Sequence, residues 1–267
     1  MPPERTAVAL PRVRWVGHRQ ESGSRTVPEE APVALIHDAS TTAVMMATPA
    51  NIADLALGFS LTERIIASPA DIRDLEIVET PLGIEARIWL KVDAGAVLTA
   101  RRRRIAGPTG CGLCGVESLE EAVKPPPRVG SGFRLSSEQI AEAMETLEAA
   151  QVLGRDTRAA HAAGWWRPVS GLVAVREDVG RHNALDKLVG ALATALIPPD
   201  EGALLLTSRI SVEMVQKAAA FGAQVLIAVS APTALAVRTA DAAGMTLIAI
   251  ARRDGFEVFT HTERIVS

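Results

Sequence analysis

GALLLTSRISVEMVQKAAAFGAQVLIAVSAPTALAVRTADAAGMTLIAI, residues 202–250, decides the fold class. Three runs in it, Ala203–Leu206, Val225–Val229 and Thr246–Ile250, are continuously apolar and strand-sized. Two helical segments separate them. Ser211–Phe221 is closed by Gly222, and Pro232–Ala243 has Pro at its start and Gly244 at its end, the usual asymmetry of helix termini. Continuously apolar strands alternating with helices predict a parallel sheet covered by helices on both faces.

Moving outward, His182–Leu196 places Leu185, Leu188, Val189, Leu192 and Leu196 on one helical face, and Pro198-Pro199 stops it. Leu172–Val175 reads as a short strand. Ser136-Ser137-Glu138-Gln139 is a capping-box pattern that opens a helix with Ile140, Met144 and Leu147 aligned. Ile84, Ala86, Ile88, Leu90 and Val92 alternate with mostly polar residues, the period of a half-exposed strand. A hairpin through Pro81-Leu82-Gly83 joins it to a strand at Leu75–Val78. Thr48-Pro49 reads as an N-cap and first helical Pro, opening a helix with Ile52, Leu55 and Phe59 on one face. Ala34–Ile36 is a first strand. The chain divides into a loose N-terminal arm (1–32), an N-terminal α/β part with the hairpin and a cysteine loop (33–130), and a C-terminal parallel α/β part that binds a cofactor (131–267).

A length of 267 residues suits one large domain or two unequal ones. With 48% hydrophobic and 22% charged residues, the chain is neither disordered, collagen-like nor coiled-coil. No apolar run reaches the roughly 18 residues of a membrane helix. The polar opening Pro2-Pro3-Glu4-Arg5 carries no signal-sequence pattern, so a cytoplasmic location away from membranes is expected. A net charge of −3 makes no case for nucleic acid, and aromatic residues at 3% with no Tyr weaken base stacking.

Ligands of parallel α/β sheets bind beyond the carboxyl ends of the strands. Three strands here end in polar clusters: Thr207-Ser208-Arg209, Ser230-Ala231-Pro232-Thr233 and Ala251-Arg252-Arg253-Asp254. Two of them run into helix N-termini, whose free N–H groups favour anions. Arg209, Arg252 and Arg253 add positive charge for phosphates, and Asp254 can accept from a purine or ribose. The plainer alternative is that the hydroxyls cap helices and the arginines are surface charge. Arg176–Lys187 packs charged residues and His182 densely around a helix start. There Asp178 suits a cap, Arg181, His182 and Asn183 suit anion contact, and Asp186 with Lys187 reads as solvated.

The two cysteines of the chain, Cys111 and Cys114, sit in Thr109-Gly110-Cys111-Gly112-Leu113-Cys114-Gly115, behind the run Arg101–Arg104. Zinc normally takes four ligands and this motif supplies two. A thioredoxin-like site wants the motif just after an early strand. Sulfur carriage wants an exposed thiolate on a movable segment. The Gly/Pro density and the arginine run suit that, and predict a loop from about Arg101 to Gly115 that is poorly ordered without a partner. Two incidental buried cysteines are the plain alternative.

The chain resembles the formate dehydrogenase accessory sulfurtransferases, the FdhD family. The resemblance runs through Thr109–Glu117, Glu177–Lys187, Ser208–Val215, Ser230–Val237, Ile250–Gly255 and the Thr260–Ile265 tail. It implies a protein that takes sulfur from a cysteine desulfurase as a cysteine persulfide. The sulfur passes to the molybdenum or tungsten bis-(molybdopterin guanine dinucleotide) cofactor before insertion into formate dehydrogenase. Cys111 then corresponds to the persulfide position; Cys114 is expected to act as helper or onward carrier. Ile250, Ala251, Arg252, Arg253, Asp254 and Gly255 correspond to the cofactor-binding segment, where GDP would stand in for one cofactor arm. The implied fold is a three-layer α/β/α sandwich resembling cytidine deaminases, and the implied assembly a homodimer. The deaminase catalytic Glu has no counterpart in His161-Ala162-Ala163, which disfavours deamination. Ile250 and Arg253 depart from the Phe and Gly usual in the family's last motif. The alternative reading is a guanine-nucleotide-binding accessory module whose cysteines form a dimer-spanning structural zinc site.

Overall fold

The structure, a computed structural model, describes residues 6–91 and 125–266. Cys111, Cys114 and the Arg101–Gly115 loop lie outside the described residues. Residues of the expected loose arm form a two-stranded antiparallel ribbon, β1 (Ala7–Val16) and β2 (Arg19–Pro28).

A first sheet has the order β4-β3-β6-β5, built from β3 (Ala31–His37), β4 (Ser40–Ala47), β5 (Ile72–Thr80) and β6 (Gly83–Leu90). The Pro81–Gly83 hairpin forms as expected, with Thr80 opposite Gly83. Helix α1 (Ile52–Thr62) covers this sheet, packing Leu55 and Ala56 on Val33, Leu35, Ala86 and Ile88. Thr48 does not cap it. The N-cap is Asn51, left-handed and without a side-chain cap bond, and Thr48 is drawn instead into the buried network described below.

The second sheet has six strands in the order β13-β12-β11-β10-β8-β9. Its members are β8 (His161–Arg167), β9 (Gly171–Asp178), β10 (Ala203–Leu206), β11 (Val225–Ala228), β12 (Thr246–Arg252) and β13 (Gly255–Thr260). Only β10, β11 and β12 are parallel; β8, β9 and β13 run antiparallel to their neighbours. The sheet is therefore mixed rather than parallel throughout. The short turns at 168–170 and 253–254 leave the chain only an antiparallel return, whereas a parallel neighbour needs a longer crossover. A two-residue pair, β7 (Leu135–Ser136) with β14 (Ile265–Val266), ties the C-terminal tail to the start of α2 (Ser137–Ala150).

Helices α4 (Arg181–Thr194), α5 (Val212–Phe221) and α6 (Ala234–Ala243) bury Leu185, Leu188, Met214, Val215 and Ala240 against one face of this sheet. Helix α2 buries Ile140, Met144 and Leu147 against the other. Its capping box is present, with Ser136 Oγ accepting from Gln139 N at 3.3 Å and Gln139 Oε1 accepting from Ser136 N at 2.9 Å. Helix α3 (Val152–Thr157) follows it and is held by Glu177, whose carboxylate accepts from the backbone N–H of Leu153 and Gly154.

The two sheets meet where α1 crosses α4. Backbones touch there: a Cβ on Gly58 would lie 1.7 Å from Asp186 O, and one on Gly190 would lie 2.0 Å from Asp54 O. Only glycine permits that approach from either side. The crossing sets the charged residues of α4 against the first sheet's connections, which positions the buried network next described.

Candidate functional site

The carboxyl ends of β10, β11 and β12 open into a cleft of about 550 Å³, walled on the other side by α2. Thr207, Val229 and Ala251 come from the three strands, and Arg252, Arg253 and Asp254 from the end of β12 and the turn into β13. Met144 and Leu147 of α2 supply apolar surface, while Glu145 and Glu148 add carboxylates. The parallel-strand rule thus places Arg252, Arg253 and Asp254 in one cleft.

The backbone there differs from the expected exit at Ala251. The strand continues to Arg252, which pairs with Gly255 across a bulge that begins after Ala249. Ile250 sits inside this bulge with φ +52, a left-handed conformation costly for a β-branched residue. A bulge re-aims the side chains that follow it. Ala251 is buried on the α2 side of the sheet, while Arg252 and Arg253 are exposed. Gly255 opens β13 at φ +140, a backbone conformation that favours glycine. Arg252 Nε donates to Val229 O at 3.4 Å, and Arg253 Nη2 lies 3.4 Å from Glu148 Oε2. An apolar wall with guanidiniums at its mouth suits a ligand with a flat body and an anionic tail.

The other rim residues divide differently. Thr207 Oγ1 accepts from Ala162 N at 2.8 Å, and Thr233 Oγ1 caps α6 by accepting from Ala236 N. For Thr233 the capping alternative is what the structure shows. Arg209 is exposed and does not line the cleft.

The Arg176–Lys187 segment holds a buried network that the sequence reading missed. Asp186 and Lys187 are not solvated; they are 1% and 0% exposed. Lys187 Nζ lies 2.6 Å from Asp178 Oδ2 and donates to Thr48 O at 2.8 Å. Asp178 does not cap α4, whose N-cap is Gly180. Its carboxylate accepts from Thr48 N, Gly180 N and the Asn183 amide, which also donates to Met46 O. Asn183 is thereby committed to joining the two sheets rather than to an anion. Asp186 pairs with Lys217 of α5, at 3.0 Å to each carboxylate oxygen, and accepts from Thr62 Oγ1 at 2.6 Å. Glu63 also meets Lys217, at 2.9 Å. Burial pushes the Asp186 carboxyl up against the pull of Lys217. Desolvation works to lower Lys217, and Asp186 with Glu63 outweighs it and holds the ammonium above its ordinary value.

Beside this network stand the starts of α4 and α5. Burial pushes His182 down to about 4, helped by the charges of Lys217 and Arg181 and opposed by Glu213 and Glu63. Burial also lowers His161, again with Arg181. The imidazole of His182 is therefore neutral near pH 7. Among the described residues, buried Nε of Arg181, Nε2 of His182, Oγ of Ser211 and Oε2 of Glu213 find no hydrogen-bond partner. The sequence signal for this centre was the density of charge in Arg176–Lys187. Its partner Lys217 lies some 30 residues on and could not be named from it. Among the described residues no three His, Cys, Asp or Glu side chains converge on a metal-sized point. No described helix is long and apolar enough to cross a membrane.

Residues 28–266 match the model of the FdhD/NarQ family. The chain is 52% identical over 246 residues to the sulfur carrier protein FdhD of Agrobacterium fabrum, covering 92% of this chain and 91% of that one. It is 46% identical over 264 residues to the protein of the same name from Cupriavidus necator, covering 99% and 91%. The fold is similar to a crystal structure from Desulfotalea psychrophila, of a protein assigned as a formate dehydrogenase accessory protein. The TM-score is 0.75 at 22% identity, over 98% of this chain and 100% of that one.

Proposed function

The chain belongs to the FdhD/NarQ family, and from that premise we propose that it is a sulfur carrier serving formate dehydrogenase. Near-full-length identity to proteins named sulfur carriers is the observation that carries the reading. The donor is a cysteine desulfurase bearing a persulfide. The Cys111 thiolate attacks the terminal sulfur, forms a new S–S bond and releases the donor's thiolate, so the sulfur moves with no net redox change. Onward delivery as sulfide needs two electrons. Cys114 supplies them: its thiolate attacks Cys111 Sγ, closing a disulfide between the two and expelling the carried sulfur as hydrosulfide.

The acceptor is the molybdenum or tungsten bis-(molybdopterin guanine dinucleotide) cofactor, bound as cargo. The cleft above β10–β12 supports that half of the reading. Its apolar wall suits a guanine ring, Arg252 and Arg253 suit the phosphates, and Asp254 suits the base edge. Arg253 would exchange Glu148 for phosphate. In this reading the protein works as a homodimer, whose two clefts match the two guanine nucleotide arms, and in the cytoplasm, where its client cofactor is made. The helix–sheet–helix layering around the six-stranded sheet is read as the cytidine-deaminase-like arrangement.

Maturation in cells tests the role. Cells lacking their own copy should recover formate dehydrogenase activity with the wild-type chain and none with Cys111→Ala. Full recovery with Cys111→Ala sinks the persulfide assignment. Cys114→Ala should load sulfur yet mature its client poorly; wild-type maturation would remove Cys114 from delivery.

A further inference from the structure

Among the described residues the ribbon of β1 and β2 pairs with no other sheet. Its register runs from Ala7 opposite Pro28 to Val16 opposite Arg19. Directly opposed residues project to the same side, so the register sorts the side chains by face. Arg12, Arg14, Arg19, Arg25 and Glu21 all fall on one face; the other, with Val13 and Trp15, carries no charge. The base is anchored where Arg25 Nη2 donates to Thr157 O of α3 at 3.0 Å. Toward the tip both faces are exposed, Val13 (50%) and Trp15 (66%) on one and Arg14, Arg19 and Glu21 on the other, where Arg12 is half-buried. A lone two-stranded ribbon is marginal in water, and this face carries four arginines against one carboxylate, Glu21 opposite Arg14, which leaves an excess of positive charge. An acidic surface against that face would relieve both.

Helix α2 has such a surface. Glu138, Glu142 and Glu145 recur at the spacing of one helical face, all exposed, and the helix contains no basic residue. Like charges three and four residues apart disfavour a helix. None of these three has an ion pair among the described residues, whereas Glu148 meets Arg253 at the cleft. Among the described residues of one copy the ribbon does not cover this face, whose Glu138, Glu142 and Glu145 are exposed.

We propose that the ribbon is a dimerisation arm, its arginine face lying on the acidic face of α2 in a second copy, with the two copies exchanging arms. Area favours exchange over ribbon stacked on ribbon. One ribbon face, ten residues long and two strands wide, offers about 350 Å². Giving one arm and receiving another approaches the roughly 800 Å² per partner of a stable interface. Reciprocal exchange also closes with two-fold symmetry. The match to the family model begins at residue 28, the last of β2, so the arm stands ahead of the part that defines the family. The inference rests on the dimer of the proposed function but not on its sulfur chemistry.

Sedimentation velocity on the full chain tests it. The wild type should be a dimer at low salt that dissociates as salt rises. Arg12→Glu/Arg14→Glu and, separately, Glu142→Arg/Glu145→Arg should each halve the mass to a monomer. Mixing the two reversed variants should restore a dimer, because both contacts are then complementary, and misfolded variants could not do this. A wild-type monomer overturns the arm together with the dimer. A dimer that both reversals leave intact, or a mixture that stays monomeric, overturns the arm alone, leaving the dimer and the sulfur-carrier reading standing.

Discussion

Lys187 Nζ lies 2.6 Å from Asp178 Oδ2, and both side chains are fully buried. The pair joins β9 to α4, and through Thr48 it reaches the connection that follows β4. Lys187→Met should cost about 3–5 kcal/mol, because it strands a buried carboxylate rather than because the pair itself is worth that much. Adding Asp178→Asn should recover part of the loss, a coupling that a double-mutant cycle reads. Urea unfolding measures both. A single-variant loss below about 1 kcal/mol would contradict the burial of an ionised pair.

His182 makes stability depend on pH. Its folded pKa is about 4 against an ordinary 6.5, so between those values the unfolded chain binds a proton that the folded chain refuses. Stability is then complete above about pH 6.5 and falls as pH drops toward 4, by about 3 kcal/mol in all. His182→Gln should reduce that loss, leaving the part that the lowered His161 contributes with the same sign. Unfolding curves at pH 7.5 and 4.5 decide it: equal losses in wild type and variant would show that His182 is not the titrating group.

Much of the fold was legible because its signals are local. Ser136 with Gln139 and the glycines at 222 and 244 mark helix ends through backbone chemistry within a few residues, and each does so in the structure. Ala203–Leu206 and Val225–Val229 read as strands because both faces are covered, and the structure forms Ala203–Leu206 and Val225–Ala228. Strand direction at the sheet's flanks is not written in hydrophobicity, so the strand at Leu172–Val175 was expected parallel in error, and β8 and β13 were not expected as strands at all. The Asp186–Lys217 and Lys187–Thr48 contacts span 31 and 139 positions, and charged residues carry no local mark of such partners. The ribbon escaped notice because its alternation is short, Arg12-Val13-Arg14-Trp15, and both its faces are largely exposed, so no buried face repeats along it. The site divides the same way: Arg252–Asp254 follows from the strand-end rule, while the wall that α2 gives the cleft is a tertiary fact.

Arg252 carries the test of the cleft. Losing one charge-assisted phosphate contact costs on the order of 1.5–3 kcal/mol, so Arg252→Ala should weaken GDP roughly tenfold to a hundredfold. Sulfur loading on Cys111 should survive, since the proposed uptake at Cys111 and the proposed cofactor contact at Arg252 involve different residues. Calorimetric titration of GDP into both proteins checks it, and equal affinities would take this segment out of the binding site.

The most direct measurement is mass spectrometry of the intact chain, and of its peptides, after incubation with a cysteine desulfurase and cysteine. A sulfur carrier acquires one added sulfur, on the peptide holding Cys111 and Cys114, removable by reductant and absent from Cys111→Ala. A chain that gains no sulfur, or gains it equally in Cys111→Ala, is not carrying sulfur on Cys111.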